Sequence, residues 1–303
     1  MKSNYIALTN YLNEKNTDTV QLTVNEIEKI VEFLPASAYN HSPPWYGGTI
    51  FKYAQNAGYR ISKSGTLVTF FKSDKPVKNK IYAHYNCFPK LDTTLKIGDA
   101  LDSIIKYHHT TKDDMHTRYL SWVHCYKTFS ENRHDSDKLN YLCLHLAWYL
   151  ASWGMLRNSF LLNRDYFVHE QLVKALISGE YELLFDSNHT AETIPLIIDA
   201  SNMVKNSYPG GSVTNTLVTK ILLGVFGCAP AYDDFFVYTA RKHKVCSGTW
   251  GINSLSQLWY YYESNKDELE KLRKKLSING VQYTPMKLMD MCLWQIGFSE
   301  MKR

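Results

Sequence analysis

Apolar residues recur at helical spacing in one stretch of the second half of the chain. The positions that repeat at i, i+3, i+4, i+7 and i+8 are Val218, Ile221, Leu222, Val225 and Phe226. This spacing predicts an amphipathic helix over residues 214–226 that packs on a core. Gly227 follows the last apolar position and is expected to end the helix.

A second helix is predicted shortly after that break. Pro230 keeps the residues near it extended, and either Asp233 or Asp234 stands where an N-cap belongs. The helix that follows carries Phe235, Phe236 and Tyr238. The pattern therefore predicts two helices joined by a short loop that ends on a pair of carboxylates.

The first ninety residues combine strand and helix patterns. Alternating apolar positions predict strands over residues 21–24, 58–61 and 66–71. Helices are predicted over residues 5–12, 26–33 and 50–57. The last two strands form a predicted hairpin with its turn at 62–65, and Thr23 or Asn25 is predicted to cap the second helix. Because 75–90 is polar and contains proline, it is interpreted as a linker that ends a small mixed α/β domain over residues 1–90.

The rest of the chain, residues 91–303, has a helical pattern. Helices are predicted over residues 95–108, 118–129, 139–153 and 164–177. The sequence shows no repeat period, low-complexity tract or heptad run, which argues against a solenoid or a coiled coil. The predicted fold class is therefore α+β, with a small mixed domain followed by a larger, mostly α-helical one.

Charge is distributed unevenly between these two predicted domains. The chain of 303 residues has a net charge of +5. Residues 1–90 hold 11 Lys and Arg against 6 Asp and Glu, whereas residues 91–303 hold 23 of each. Such an excess is typical of a module that binds a polyanion, although a run of charges is also common on an ordinary solvated surface. The predicted phosphate contacts are Arg60, Lys63 and Lys72.

Cysteine usage and hydropathy limit the environment of the protein. Six cysteines are scattered without a CxxC pair, which predicts reduced thiols and no structural zinc. The amino terminus lacks an apolar signal core, and no apolar run approaches the ~20 residues of a membrane span. We therefore expect a cytoplasmic monomer without a membrane partner.

Two features of the sequence could indicate a site for a metal or a cofactor. His108, His109, Asp113, Asp114 and His116 form the one dense His/Asp cluster. Because adjacent residues on a helix diverge by about 100°, this cluster is interpreted as a polar helix end. The Gly-rich segment GGSVTNT lacks the Lys-Ser/Thr ending of a phosphate loop, and GxGxxG is absent. No metal and no cofactor are predicted.

The order of features over residues 210–244 resembles the helix-hairpin-helix superfamily of DNA glycosylases. That superfamily has a Gly-rich hairpin, an apolar helix with a Phe-Gly-type break, a proline, and an aspartate that opens the following helix. The corresponding segments here are Gly210-Gly211-Ser212, Phe226-Gly227 and Ala231-Tyr232-Asp233. The spacing to the aspartate is one residue short of the superfamily pattern. Asn215 and Thr216 stand where bifunctional members carry a lysine.

This resemblance implies a monofunctional DNA glycosylase. Hydrolysis of an N-glycosidic bond passes through an oxocarbenium-like state and needs a carboxylate near C1′. Asp233 is predicted to be that carboxylate, with Asp234 as the alternative. Backbone N–H groups of the hairpin, Gly210, Gly211 and Ser212, are predicted to contact a phosphate. Lys220 is expected to lie too far along the helix to supply a Schiff-base amine.

A pocket for a flipped base is predicted beside the hairpin. Its members are Trp153, Arg157, Asn158 and Tyr232. An aromatic wall and planar donors suit a base that has left the stack. Core packing is the alternative for Trp153.

The string LPASAYNHSPPWYGG resembles a bacterial domain of restriction and phage-defence proteins that is thought to contact DNA. Trp45 and Tyr46 stand where that domain commonly has a double Trp, and they are predicted to contact duplex DNA, with a small-domain core anchor as the alternative for Trp45. The combination of both domains is similar to an antiviral glycosylase that removes glucosylated hydroxymethylcytosine from modified phage DNA. The alternative function is a non-catalytic DNA-binding protein of a defence locus.

Overall fold

The computed structural model describes residues 4–34, 49–64, 66–72 and 91–301. The chain divides into two compact units, Met1–His84 with Ser178–Glu180 and Tyr85–Ile177 with Tyr181–Arg303. The linker predicted over 75–90 lies outside the described residues.

The amino-terminal unit combines helices with a three-stranded sheet. Its elements are α1 (Tyr5–Lys15), β1 (Thr19–Thr23), α2 (Val24–Val31), α3 (Thr49–Asn56), β2 (Tyr59–Ser64) and β3 (Leu67–Lys72). The sheet order is β1-β3-β2, and both pairings are antiparallel. The predicted hairpin is confirmed by the β2–β3 register, in which Ser64 lies opposite Leu67.

Local capping decides where α2 begins. The Thr23 side chain accepts a hydrogen bond from the Glu26 N–H, and the Glu26 carboxylate accepts from the Thr23 N–H at 2.7 Å. This capping box satisfies two N–H groups that the first turn of a helix leaves free. Of the two predicted caps, Thr23 is therefore the one used, and the helix starts two residues earlier than predicted.

The second unit is built mainly from helices. They are α4 (Ile97–Asp113), α5 (Leu120–Asn132), α6 (Leu139–Ser152), α7 (Glu170–Leu176), α8 (Ile194–Asn206), α9 (Asn215–Phe226), α10 (Asp234–Lys242), α11 (Ile252–Ser264), α12 (Lys266–Arg273) and α13 (Pro285–Met301). A short antiparallel pair, β4 (Ser277–Ile278) and β5 (Val281–Gln282), precedes α13. The predicted α+β class is confirmed.

One predicted helix is wrong over half its length. The helix expected over 164–177 is a 3-10 turn over Tyr166–His169 followed by the shorter α7. The Asp165 carboxylate accepts a hydrogen bond from the Phe167 N–H at 2.9 Å and so caps the 3-10 turn. Apolar spacing at i, i+3 and i+4 does not distinguish that turn from the first turn of an α-helix.

The central helix α13 was not predicted. Every residue from Pro285 to Gln295 is buried. A helix that is buried on all sides has no polar face and therefore no amphipathic period.

None of the helices in the described ranges combines the length and the apolar character that crossing a bilayer requires.

Candidate active site

The hairpin between α8 and α9 is a tight turn made by its sequence. The Gly211 N–H donates to the Tyr208 carbonyl at 3.0 Å, and Gly210 has a φ of 73°. Pro209 followed by a residue at positive φ is the pattern of a type II turn. A Cβ on Gly211 would lie 3.0 Å from the Phe160 ring. Glycine is thus favoured at position 210 because of the positive φ, and at position 211 because a side chain would be too close to Phe160.

The apolar helix α9 begins and ends as predicted. The Thr214 hydroxyl accepts from the Leu217 N–H at 3.2 Å, and Gly227 ends the helix with a φ of 65°. A Cβ on Gly227 would lie 2.8 Å from the Thr284 side chain, whose hydroxyl donates to the Gly227 carbonyl at 2.6 Å. The break after α9 is therefore fixed to the start of α13.

The loop after that break is held by side chains from two helices. The Thr216 hydroxyl donates to the Tyr232 carbonyl at 3.0 Å, and the Tyr232 N–H donates to the Thr219 hydroxyl at 2.9 Å. From α13, Asp290 accepts from the Ala231 N–H at 3.0 Å. These bonds fix the backbone on the approach to Asp233.

Asp233 lies at the amino-terminal end of α10. One carboxylate oxygen accepts from the Phe236 N–H at 3.2 Å, which confirms the predicted cap. The other oxygen accepts from Lys220 Nζ at 2.8 Å. The Lys220 side chain is only 4% exposed, whereas that of Asp233 is 18% exposed. Lys220, which was expected to lie too far along the helix to supply a Schiff-base amine, contacts Asp233 because the loop after α9 folds back.

The amine of Lys220 lies over the ring of Trp153, which also contacts a second cation and a second indole ring. Its Nζ lies 4.6 Å from the centroid of the Trp153 ring, and the Arg118 guanidinium lies 4.9 Å from the same ring. Trp294 of α13 packs edge-on against Trp153 at 5.7 Å. A cation over an indole ring is attracted by the negative face of the ring. The predicted pocket residue Trp153 therefore lies beside the Lys220–Asp233 pair.

A second lysine–aspartate pair is buried in α13. Lys287 Nζ donates to Asp290 at 2.7 Å and to the Tyr107 hydroxyl at 3.2 Å. Its amine also lies 4.8 Å from the centroid of the Tyr107 ring and 5.2 Å from that of the Trp122 ring. Both members of the pair are buried. Asp290 of this second pair also accepts from the Ala231 N–H, two residues before Asp233. The loop backbone therefore links the two pairs.

The two pairs also act on one another electrostatically. Burial lowers the pKa of Lys287, and the neighbouring Asp290 carboxylate opposes that effect. The charge of Lys220 lowers the pKa of Lys287 further, and that of Asp233 raises it. Burial, with Asp290 as the next cause, raises the pKa of Tyr107. The site is therefore a network of compensating charges inside an aromatic core.

Other predicted site residues are spread over different environments. Asp234 is exposed, one residue beyond the cap. Tyr232 is buried and its hydroxyl donates to Ser254 at 3.0 Å, so its ring belongs to the core and not to an open pocket wall. Ser254 supplies the hydrogen-bond partner that this buried hydroxyl needs. Arg157 and Asn158 are exposed in the turn after α6.

The predicted DNA contacts of the amino-terminal unit are described in part. Lys72 is exposed at the end of β3, and its amine donates to the Asn16 side chain. Arg60 and Lys63 belong to β2, but their side chains are outside the described ones. Trp45 and Tyr46 lie outside the described residues altogether. Lys72 is therefore the one predicted contact of this unit whose side chain is placed.

Potential metal ligands and thiols can be located in the described part of the chain. Within it, no group of three or more His, Cys, Asp and Glu side chains could hold a metal ion. The predicted polar cluster divides, since buried His108 contacts the Tyr283 hydroxyl at 3.1 Å while His109 faces the exposed Asp113. Five cysteines are free and buried: Cys125, Cys143, Cys228, Cys246 and Cys292.

Sequence reasoning missed Lys220, Lys287 and Asp290 as site residues. A usable signal was present in each case. Lys220 is the single charge within residues 214–226, and Lys287 and Asp290 are the charges within the apolar run 285–298. Charges inside apolar helices are costly to bury unless they are paired, so they point to partners elsewhere in the fold.

Comparison with known proteins covers the amino-terminal unit alone. No curated protein and no solved structure matches the chain. The family that does match is described as a domain of unknown function (DUF7662). The chain is similar to this family over residues 5–74.

Proposed function

We propose that the protein is a DNA glycosylase that hydrolyses an N-glycosidic bond and leaves an abasic site. The observation that carries the proposal is the Asp233 carboxylate. It is partly exposed, fixed at the start of α10 and bonded to the buried amine of Lys220 at 2.8 Å. A carboxylate held in place and open to solvent on one side is the group that this reaction needs.

The chemistry assigned to Asp233 is electrostatic. Cleavage of the bond between C1′ and the base nitrogen develops positive charge on the sugar, and water then adds at C1′ while the base leaves with the bonding electrons. A negative charge at a fixed position stabilises that state more than it stabilises the neutral substrate. The Phe236 N–H at the start of α10 and the Lys220 amine hold the two oxygens of this carboxylate in place.

Other elements of the same unit suit DNA as the substrate. In the hairpin, the Gly211 N–H is used within the turn, so the phosphate contact is assigned to the N–H groups of Gly210 and Ser212. Trp153 supplies an aromatic surface next to the reacting group, and Arg118 supplies an exposed cation beside it. The first substrate to test is phage DNA with glucosylated hydroxymethylcytosine, which the sequence resemblance implies.

The Lys220–Asp233 contact favours a second candidate, a glycosylase with lyase activity. After Lys220 gives a proton to Asp233, its amine can add to C1′ while the base leaves with the bonding electrons and takes up a proton from the amine. The nitrogen lone pair then breaks the C1′–O4′ bond, O4′ takes up a proton, and a ring-opened imine is left. Elimination of the 3′ phosphate would then break the strand. A DNA-binding protein without chemistry stays the alternative to both, because the Asp233 cap also has a purely structural use.

Replacing Asp233 by Asn tests the enzymatic proposal. Asn keeps an acceptor for the Phe236 N–H but loses the charge that pairs with the buried Lys220 amine, so we expect an unchanged DNA affinity and a lower melting temperature. Base release is therefore compared at a temperature where both proteins are folded. Base release should fall by about 10² to 10³-fold, the usual loss for one placed electrostatic group. The assay measures free base and abasic sites in DNA with modified or unmodified cytosine.

The same assay separates the candidates. Alkali-labile sites without trapping by borohydride support the hydrolytic enzyme, and a borohydride-trapped complex that Lys220→Met abolishes supports the lyase. If the Asp233→Asn variant releases base at the wild-type rate, Asp233 serves only as the N-cap of α10. If the wild-type protein releases no base from any of these substrates, the non-catalytic alternative replaces both enzymes.

Binding of DNA by the amino-terminal unit has its own test. Neutralising Lys63 and Lys72 together should weaken duplex binding and reduce the slope of log K against log salt by about 1 for each lost phosphate contact. Lys266→Ala is the matched control, since Lys266 is an exposed lysine already paired with Glu263 at 2.9 Å. An unchanged slope in the double variant would place the DNA contacts elsewhere.

A further inference from the structure

The Lys287–Asp290 pair is not used by the chemistry assigned above, yet it reaches the reacting group through two hydrogen bonds. Asp290 Oδ1 accepts from the Ala231 N–H at 3.0 Å. The Ala231 carbonyl accepts in turn from the Asp233 N–H at 2.9 Å. Ala231 therefore connects the buried carboxylate to the exposed one across a single intervening residue.

Stability does not account for an ion pair at this place. Apolar residues of similar volume are often as stabilising as a buried ion pair, or more so. An apolar residue at position 290 would, however, leave the Ala231 N–H without its acceptor. Asp290 is 4% exposed, and its second oxygen is held by Lys287 at 2.7 Å. The feature that apolar packing cannot replace is thus the fixed acceptor that faces the loop.

The anchor of that acceptor is itself rigid. Lys287 is held by the Tyr107 hydroxyl and lies over the rings of Tyr107 and Trp122. The backbone N–H of Lys287 donates to the Thr284 hydroxyl. That hydroxyl in turn donates to the Gly227 carbonyl at the start of the loop. The loop is consequently attached to the first turns of α13 near both of its ends.

We propose that Asp290 is a positioning residue that sets the place of the Asp233 carboxylate through the Ala231 N–H, with Lys287 as its neutralising anchor. This inference rests on the proposed function, since it assigns the pair a role in the same reaction. According to this proposal, catalysis needs the hydrogen-bond acceptor at position 290 and does not need the charges of Lys287 and Asp290. A misplacement of about 1 Å is enough to cost on the order of 10²-fold in rate.

Two double variants separate the effect of the hydrogen-bond acceptor at position 290 from the effect of the charges of the pair. Lys287→Met with Asp290→Asn removes both charges and keeps an oxygen for the Ala231 N–H. Lys287→Met with Asp290→Leu removes both charges and the acceptor. Neither leaves a buried unpaired charge, so both are expected to fold. If the Leu variant does not fold, Asp290→Ala in the same background removes the acceptor with a smaller side chain.

The expected results differ between the two variants. The Asn variant should keep kcat within a few-fold of wild type, and the Leu variant should lose about 10 to 10²-fold in kcat with little change in KM or DNA affinity. Amide hydrogen exchange over residues 231–236 should accelerate in the Leu variant alone. Glu270→Gln is the matched control, because Glu270 belongs to another i,i+3 pair, with Arg273 at 2.9 Å, and does not contact this loop.

Equal kcat values and equal exchange in the two double variants would overturn the proposal. A loss of rate in the Asn variant as large as in the Leu variant would also overturn it, because the charge would then be what matters. If the wild-type protein releases no base, the proposed function fails by itself. Hydrogen exchange of the loop still decides in that case whether Asp290 positions Asp233.

Discussion

Two lysine–aspartate pairs of nearly equal length lie in very different surroundings. Lys220 and Asp233 come from two helices and meet at 2.8 Å, and the carboxylate is 18% exposed. Lys287 and Asp290 belong to one helix, meet at 2.7 Å, and have side chains only 2% and 6% exposed. The chemistry of the two pairs is the same, so the difference between them is access to solvent.

Access decides what each pair can do. A carboxylate that reaches solvent can meet a substrate, whereas one enclosed by α13 and its neighbours can act only on the protein. The buried pair accordingly bonds the backbone of the loop, and the exposed carboxylate stands at the end of that loop. We proposed one reacting pair and one positioning pair on the basis of this difference, and the following variants test that proposal.

Lys287→Met should have the largest effect on stability. It leaves the Asp290 carboxylate buried without its cation, which typically costs about 3–5 kcal/mol in the free energy of unfolding. Urea denaturation measures the loss. Adding Asp290→Asn should recover most of it, because no unpaired charge is then left. A single variant as stable as wild type would show that water reaches Asp290 and would remove the contrast between the pairs.

Lys220→Met should cost less, about 1–3 kcal/mol, the range for a hydrogen bond to a charged group. Asp233 keeps the Phe236 N–H and partial contact with solvent after the lysine is removed. The same urea measurement on both single variants gives the comparison directly. A loss equal to that of Lys287→Met would mean that the Asp233 site is as closed as the interior of α13.

The smallest effect concerns pH. Burial lowers the pKa of Lys287 below its ordinary value of 10.5. Between the lowered value and 10.5 the unfolded chain binds more protons than the folded one, so this residue makes stability rise with pH. As the pH approaches 10.5 from below, unfolding free energies should rise more steeply for wild type than for Lys287→Met/Asp290→Asn. Parallel curves would show that Lys287 keeps its proton throughout.

Local features of the site followed from sequence. Gly227 ends α9, and Asp233 caps α10, because a left-handed C-cap and an acceptor at an N-terminus depend on a few neighbouring residues. The hairpin turn at Gly210 has the same origin. By contrast, the residues expected to form one pocket differ in burial, since Tyr232 is buried and Arg157 is exposed.

The sequence by itself determined the α+β class, the helices and strands of the amino-terminal unit, and the breaks and caps around α9 and α10. These depend on periodicity, backbone conformation and hydrogen bonds over a few residues, all of which can be read in order along the chain. Only the tertiary structure decided that Lys220 meets Asp233 and that Asp290 reaches Ala231, contacts over 13 and 59 residues of chain. Such contacts depend on how the loop folds back and where α13 packs, and no local pattern encodes either.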